Sequence, residues 1–172
     1  MKTVNKFFAV ISPHLSPMDY ACYLKEDVKR ILGHYYQSAF SLPHISLSQF
    51  LDFHTDSLLY ELETMMARQS AFLISLRDFG VFQHGANGSI VMNIDNQRPI
   101  GDFTENVWGY RITPHVTIAR NLPPHDLEKA WTILKNIPYQ YSFICDHITV
   151  LIRNHGRWEH YTDLYFSDHH LN

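Results

Sequence analysis

Two short segments of this 172-residue chain carry the same succession of residue types: Leu42-Pro43-His44-Ile45-Ser46-Leu47 and Thr113-Pro114-His115-Val116-Thr117-Ile118. In a strand, residues i and i+2 share a face. His44 with Ser46, and His115 with Thr117, would then each present an imidazole beside a hydroxyl, while Ile45, Leu47, Val116 and Ile118 turn toward a core. Two imidazoles facing one cleft suit in-line displacement at phosphorus. A neutral one takes a proton from the attacking nucleophile, and a protonated one supplies a proton to the departing oxygen. An unperturbed imidazole pKa of about 6.5 lets the two hold complementary states near neutral pH. The Ser46 and Thr117 hydroxyls would donate to the non-bridging phosphate oxygens as negative charge builds there. Neither metal nor cofactor is required by this scheme.

His-x-Ser/Thr alone carries little information, because the chain contains five instances, at His14, His44, His115, His147 and His160. His44 and His115 are set apart by the preceding proline, the β-branched residue between and the aliphatic residue after. They also occupy equivalent places in an internal repeat, and the same shift carries Phe72 onto Phe143. His14 and His160 read as loop or edge histidines. His147, whose repeat counterpart is Leu76, reads as structural or solvent-facing. Arg120, five residues after His115, is either an exposed strand-end charge or a phosphate clamp, a role suited to its fork of donors. Phe82, Tyr110 and Trp158 are aromatic residues that can either stack on a base or pack.

The elements that must position these groups follow the repeat as strand, helix and hairpin, twice. In the first half, PHISLSQF is the strand. Asp56 is the expected N-cap of a helix bearing Leu58, Leu59, Leu62, Met65 and Met66. Strands 71–82 and 89–94 are joined by Gly85-Ala86-Asn87-Gly88. In the second half, PHVTIAR is the strand, Leu127, Ala130, Trp131 and Leu134 mark a helix, and strands 141–153 and 158–166 close the hairpin through Asn154-His155-Gly156-Arg157. Ahead of the repeat, 6–12 reads as a strand and 18–32 as a helix ended by Gly33. The segment 95–113, interrupted by Pro99, Gly101 and Gly109, reads as loop with at most one helical turn. The expected architecture is a single α+β domain over 1–172, bilobal and pseudo-symmetric. Lobe one spans about 36–95 and lobe two about 108–172, with 1–35 packed onto both.

Composition narrows the partners. A net charge of −3 argues against holding long duplex nucleic acid by its phosphates, so a short ligand with few phosphates is the easier one to accommodate. No stretch reaches the roughly 18 apolar residues of a membrane span. The apolar run from Phe7 to Ile11 is shorter than a signal-peptide core, which favours the cytoplasm. Cys22 and Cys145 read as buried reduced thiols, and a monomer is expected. The competing readings are a His-rich metallohydrolase, for which no His-Glu-x-x-His or paired Cys-x-x-Cys set is found, and a nucleotide-binding module without turnover.

The paired motifs resemble those of the 2H phosphoesterase superfamily, in particular its 2′-5′ RNA ligase and cyclic phosphodiesterase group. FFAVISP is similar to its first strand, PHISL and PHVTIAR to its two motifs, FGVF through SIVMNI to the end of its first lobe, and WEHYTDLYF to its last strand. The resemblance implies a bilobal α+β fold with a central cleft and His44 and His115 as acid and base without a metal. It further implies phosphate contacts from Ser46 and Thr117, and from Arg120, which matches the arginine ending the second motif. Substrates of the family are 2′,3′-cyclic phosphate ends of RNA, ADP-ribose cyclic phosphates or 2′-5′ linked oligonucleotides. The segment 95–113 is shorter than in bacterial ligase-type members, which carry a helix there, and a more open cleft is expected.

Overall fold

The computed structural model describes residues 5–53 and 55–168. In chain order the elements are β1 (Asn5–Ile11), α1 (Leu15–Leu32), β2 (Ile45–Phe53), α2 (Thr55–Met66), β3 (Phe72–His84), β4 (Asn87–Ile94), α3 (Gln97–Trp108), β5 (His115–Leu122), α4 (Pro124–Leu134), β6 (Gln140–Cys145), β7 (His147–Asn154) and β8 (Arg157–Tyr165). The strands form one antiparallel, curled sheet in the order β6-β3-β4-β5-β2-β1-β7-β8. The fold is α+β, a half-barrel with its helices on one face.

The period-2 pattern decides which face is which. Phe7, Ala9 and Ile11, Ile45 and Leu47, Ile90, Met92 and Ile94, and Val116 and Ile118 join Leu24 and Val28 of α1, Leu58 and Leu62 of α2, Ile100 and Phe103 of α3 and Ala130 and Leu134 of α4 in one core. Phe8, Val10 and Val91 are also buried but stand outside that core, on the face without helices. His44 and His115 open onto this second face.

The chain's two halves exchange strands. β2, from the first repeat, sits in a half-sheet with β1, β7 and β8, whereas β5, from the second, sits with β4, β3 and β6. The half-sheets touch through a single bridge, Ile45 opposite Val116. The second motif strand, β5, thus lies against β4 of the first repeat's hairpin, and the first, β2, is joined to β7 and β8 of the second repeat through β1.

Three expectations require correction. Residues 97–108 form a three-turn helix rather than loop. Pro99 lies in the first turn, where its missing N–H costs nothing. Ile100, Phe103 and Thr104 are buried, and Gly109 ends the helix in the left-handed conformation (φ 77°), donating its N–H to Glu105 O. The segment therefore carries a helix, as the bacterial ligase-type proteins do, and the inference of a more open cleft falls with the loop. The run 141–153 is two strands broken at Asp146, because the chain leaves the β3 edge there and joins β1 in the other half-sheet. Asp56 lies inside α2, which begins at Thr55. Both cysteines are free. No helix among the described residues is long and apolar enough to cross a membrane.

Candidate active site

The Ile45–Val116 bridge is the geometric centre of the site. In an antiparallel pair, one step either side of that bridge sets His44 beside Thr117 and Ser46 beside His115. The imidazoles occupy one diagonal and the hydroxyls the other. Sheet geometry puts diagonal neighbours about 7–8 Å apart, somewhat less at Cβ, enough for a phosphoryl group between two ring nitrogens.

Both imidazoles are held the same way. His44 Nδ1 donates to the Leu42 carbonyl at 2.8 Å, and His115 Nδ1 donates to the Thr113 carbonyl at 2.9 Å. A carbonyl only accepts, so Nδ1 carries the proton and Nε2 of the neutral ring keeps its lone pair. The proline at each intervening position has a part in this. It holds the residue before it in extended backbone, which fixes the direction of that carbonyl. Each ring also meets an aromatic edge-on, Phe8 against His44 (5.4 Å, 87°) and Phe82 against His115 (4.8 Å, 87°). Phe82 thus packs against His115 and also lines the cleft.

The fields on the two rings differ. Burial lowers the His44 pKa below its ordinary value against the opposing pull of the Leu42 hydrogen bond, and the positive charges of Lys25, His115 and Arg120 lower it further. Burial likewise lowers His115 against its Thr113 bond, with His84 and Arg120 adding to the effect.

Arg120 reaches the cleft because of a β-bulge. Strict alternation from His115 and Thr117 would put Arg120 on the core face with Val116 and Ile118. Thr117 pairs with Val91 but Ala119 with Ile90, leaving Ile118 as an extra residue. Ile118 and Ala119 are then both buried in the core, and Arg120 emerges on the cleft side. The equivalent bulge occurs in β2, where Ser46 pairs with Val10 and Ser48 with Ala9, skipping Leu47. It delivers Gln49, five residues after His44, to the same cleft.

All five residues singled out in the sequence (His44, Ser46, His115, Thr117 and Arg120) line one cavity of about 600 Å³. Sequence reasoning missed Gln37, Ser38, Ser41, Gln49, His84 and Ser89 in the same lining. None of these carries a local signal, since each arrives through a turn, a bulge or a hairpin end. Trp158 is present with Arg153 over its ring (5.7 Å), and the Tyr110 hydroxyl donates to Leu47 O at 3.1 Å. Among the described residues the lining holds the Arg120 guanidinium, imidazoles, hydroxyls and amides but no carboxylate, so it favours an anion. Among the described residues no group of three or more His, Cys, Asp or Glu is placed to hold a metal ion.

The remaining His-x-Ser/Thr matches lie elsewhere. His14 and His147 line a second cavity of about 560 Å³ between β6 and the β1–β7 end, where His147 Nδ1 is 2.6 Å from Asp146 Oδ1. His160 is paired with Asp163 at 3.2 Å.

The family model of the 2′-5′ RNA ligase superfamily matches residues 24–157. No curated protein matches the chain. Among solved structures, Escherichia coli LigT complexed with phosphate is similar at a TM-score of 0.63 and 14% identity, covering 95% of this chain and 98% of LigT. LigT complexed with 3′-AMP gives 0.62 and 12%, covering 96% and 99%. TT0787 of Thermus thermophilus gives 0.62 and 11%, covering 94% and 98%. At these identities the likeness establishes the fold.

Proposed function

The chain belongs to the 2′-5′ RNA ligase superfamily, and from that premise we propose that it is a metal-independent phosphoesterase hydrolysing 2′,3′-cyclic phosphates or 2′-5′ linkages of nucleotides or RNA ends. The observation that carries the reading is the pair of Nδ1-tethered imidazoles, each tied to the carbonyl two residues before it, on one carboxylate-free cavity. In the reaction, Nε2 of one neutral histidine accepts a proton from water as its oxygen attacks phosphorus. The P–O bond to the ribose opens in line, and the other imidazolium gives its Nε2 proton to the departing ribose oxygen. Ser46 and Thr117 donate hydrogen bonds to the non-bridging oxygens, and the Arg120 guanidinium offsets the charge that gathers on them. That LigT has been crystallised with phosphate and with 3′-AMP agrees with such a ligand class.

The test is a screen of 2′,3′-cyclic nucleotides, ADP-ribose cyclic phosphate and 2′-5′ dinucleotides, with products read by phosphorus NMR to identify the bond broken. His44→Ala and His115→Ala are each expected to lower the rate by at least about 10²-fold with the circular dichroism spectrum unchanged. Activity is expected to survive EDTA. Undiminished rates in both histidine variants would sink the assignment, and binding without turnover in the native protein would point to a non-catalytic nucleotide-binding module.

A further inference from the structure

Among the described residues Lys25 is the one charged side chain in the buried set, 3% exposed on the inner side of α1. Among the described residues no carboxylate pairs with it. Its Nζ donates instead to Ser38 O at 2.8 Å and to Ser41 Oγ at 3.3 Å. Burial lowers its pKa to about 8. An ammonium buried against neutral acceptors costs stability compared with an apolar residue of the same shape, so its contribution lies in what it holds.

What it holds is the turn 36–41, which bridges α1 and the Arg120 bulge. Ser38 Oγ accepts the Arg120 backbone N–H at 2.9 Å. Tyr36 Oη lies 3.0 Å from the Lys25 carbonyl and 3.2 Å from the Ile118 carbonyl, the bulge residue itself, and can donate to either. Within the turn, Ser41 N–H and Oγ both donate to the Ser38 carbonyl, the atom that Lys25 also grips. Ser38 and Ser41 line the cleft. A bulge has lost regular ladder partners, and here side chains of this turn, with Ser89 Oγ on the Asn121 N–H, replace them.

We propose that Lys25 is a positioning residue for Arg120: by fixing the 36–41 turn it sets Ser38 against the bulge, and so sets the direction in which the guanidinium enters the cleft. The proposal rests on the reading of that cleft as a phosphate site. Lys25 touches no substrate; apart from its charge acting on His44, it acts through Ser38 and the backbone of β5.

The experiment is a double-mutant cycle between Lys25→Met and Arg120→Ala. It is read by the Kd for inorganic phosphate in calorimetry and by kcat/KM on a 2′,3′-cyclic nucleotide. Arg120→Ala is expected to weaken both by about 30-fold, the scale of a charge-assisted contact. Lys25→Met is expected to weaken both by about 5- to 10-fold without lowering Tm. The double variant is expected to match Arg120→Ala within about twofold in the phosphate Kd and in the plateau of kcat/KM against pH, where the charge of Lys25 on His44 no longer enters, because a residue that works through Arg120 has nothing left to position. Ser38→Ala, which deletes only the acceptor, is expected to show the same pattern and decides the matter should Lys25→Met fail to fold. Losses that multiply in the double variant, or no loss in either single variant of the turn, overturn the positioning role while the cleft remains active. A native protein that neither binds phosphate nor cleaves any cyclic nucleotide overturns the functional reading instead.

Discussion

Removing the charge of one neighbour should reveal which histidine is the acid and which the base. His84 bears on His115 but is not among the charges that act on His44, whereas Arg120 bears on both. Both imidazoles are lowered by burial, so both limbs of the kcat/KM profile on a 2′,3′-cyclic nucleotide should lie below about pH 6.5. The optimum lies between them, and on the alkaline side the rate falls toward tenfold per pH unit as the acid loses its proton. His84→Gln removes a positive neighbour of His115, so the limb governed by His115 rises and the other stays. Movement of the acid limb assigns His115 the lower pKa of the pair, hence the base role in the more populated form, and movement of the alkaline limb assigns it the higher pKa and the acid role in that form. Arg120→Gln should raise both limbs together while lowering the plateau. The measurement is kcat/KM from pH 4.5 to 8.5 at fixed low ionic strength, since exposed charges are screened by salt. A flat profile, an optimum well above pH 6.5, or a His84→Gln profile with both limbs moved equally would refute the reasoning.

Two further outcomes are expected. A Cβ on Gly88 would lie 2.5 Å from Leu127 Cδ2 of α4 and 3.3 Å from the Phe82 carbonyl, so Gly88→Ala should cost about 1–3 kcal/mol in urea denaturation through overpacking; an unchanged midpoint would contradict the close β4–α4 approach. Gln49, delivered by the bulge equivalent to that of Arg120, offers a neutral amide, suited to a ribose hydroxyl or base edge. Gln49→Ala should raise KM for a cyclic nucleotide about 3- to 10-fold, the scale of one neutral hydrogen bond, and leave the Kd for inorganic phosphate unmoved; equal losses in both would place Gln49 on the phosphate.

The motif strands, α1 and α4 are legible in the sequence because local pattern and tertiary demand agree there. Proline, histidine and alternating β-branched residues allow little except an extended strand, and Gly33 can end α1 at φ 79°. The rest is set by distant contacts. α3 is hidden by Pro99 and Gly101, which read as breakers although Ile100, Phe103 and Thr104 already mark a helical face. The break at Asp146 interrupts an alternation that runs on without it, because only the curl of the sheet requires β6 and β7 to part. Nothing in Leu47 or Ile118 announces a bulge, which is why the face of Arg120 stays undecided at the level of sequence. Lys25 reads as an ordinary helix-surface charge until Ser38 and Ser41 fold over it.

The repeat explains the geometry and, by itself, forbids the mechanism. Two motifs of one kind, related by an internal symmetry, give two imidazoles with the same tautomer, the same proline-fixed carbonyl and the same edge-on phenyl ring. Identical groups cannot be told apart as acid and base. Their mutual repulsion resists a second proton and spreads the titration of the pair into two steps, but it does not say which ring protonates first. That choice must come from what the repeat does not copy: buried Lys25 on the His44 side, His84 on the His115 side, and Arg120 facing Gln49 across equivalent bulges. The duplicated scaffold therefore fixes where two protons can move, and the unequal flanks fix which ring gives and which takes.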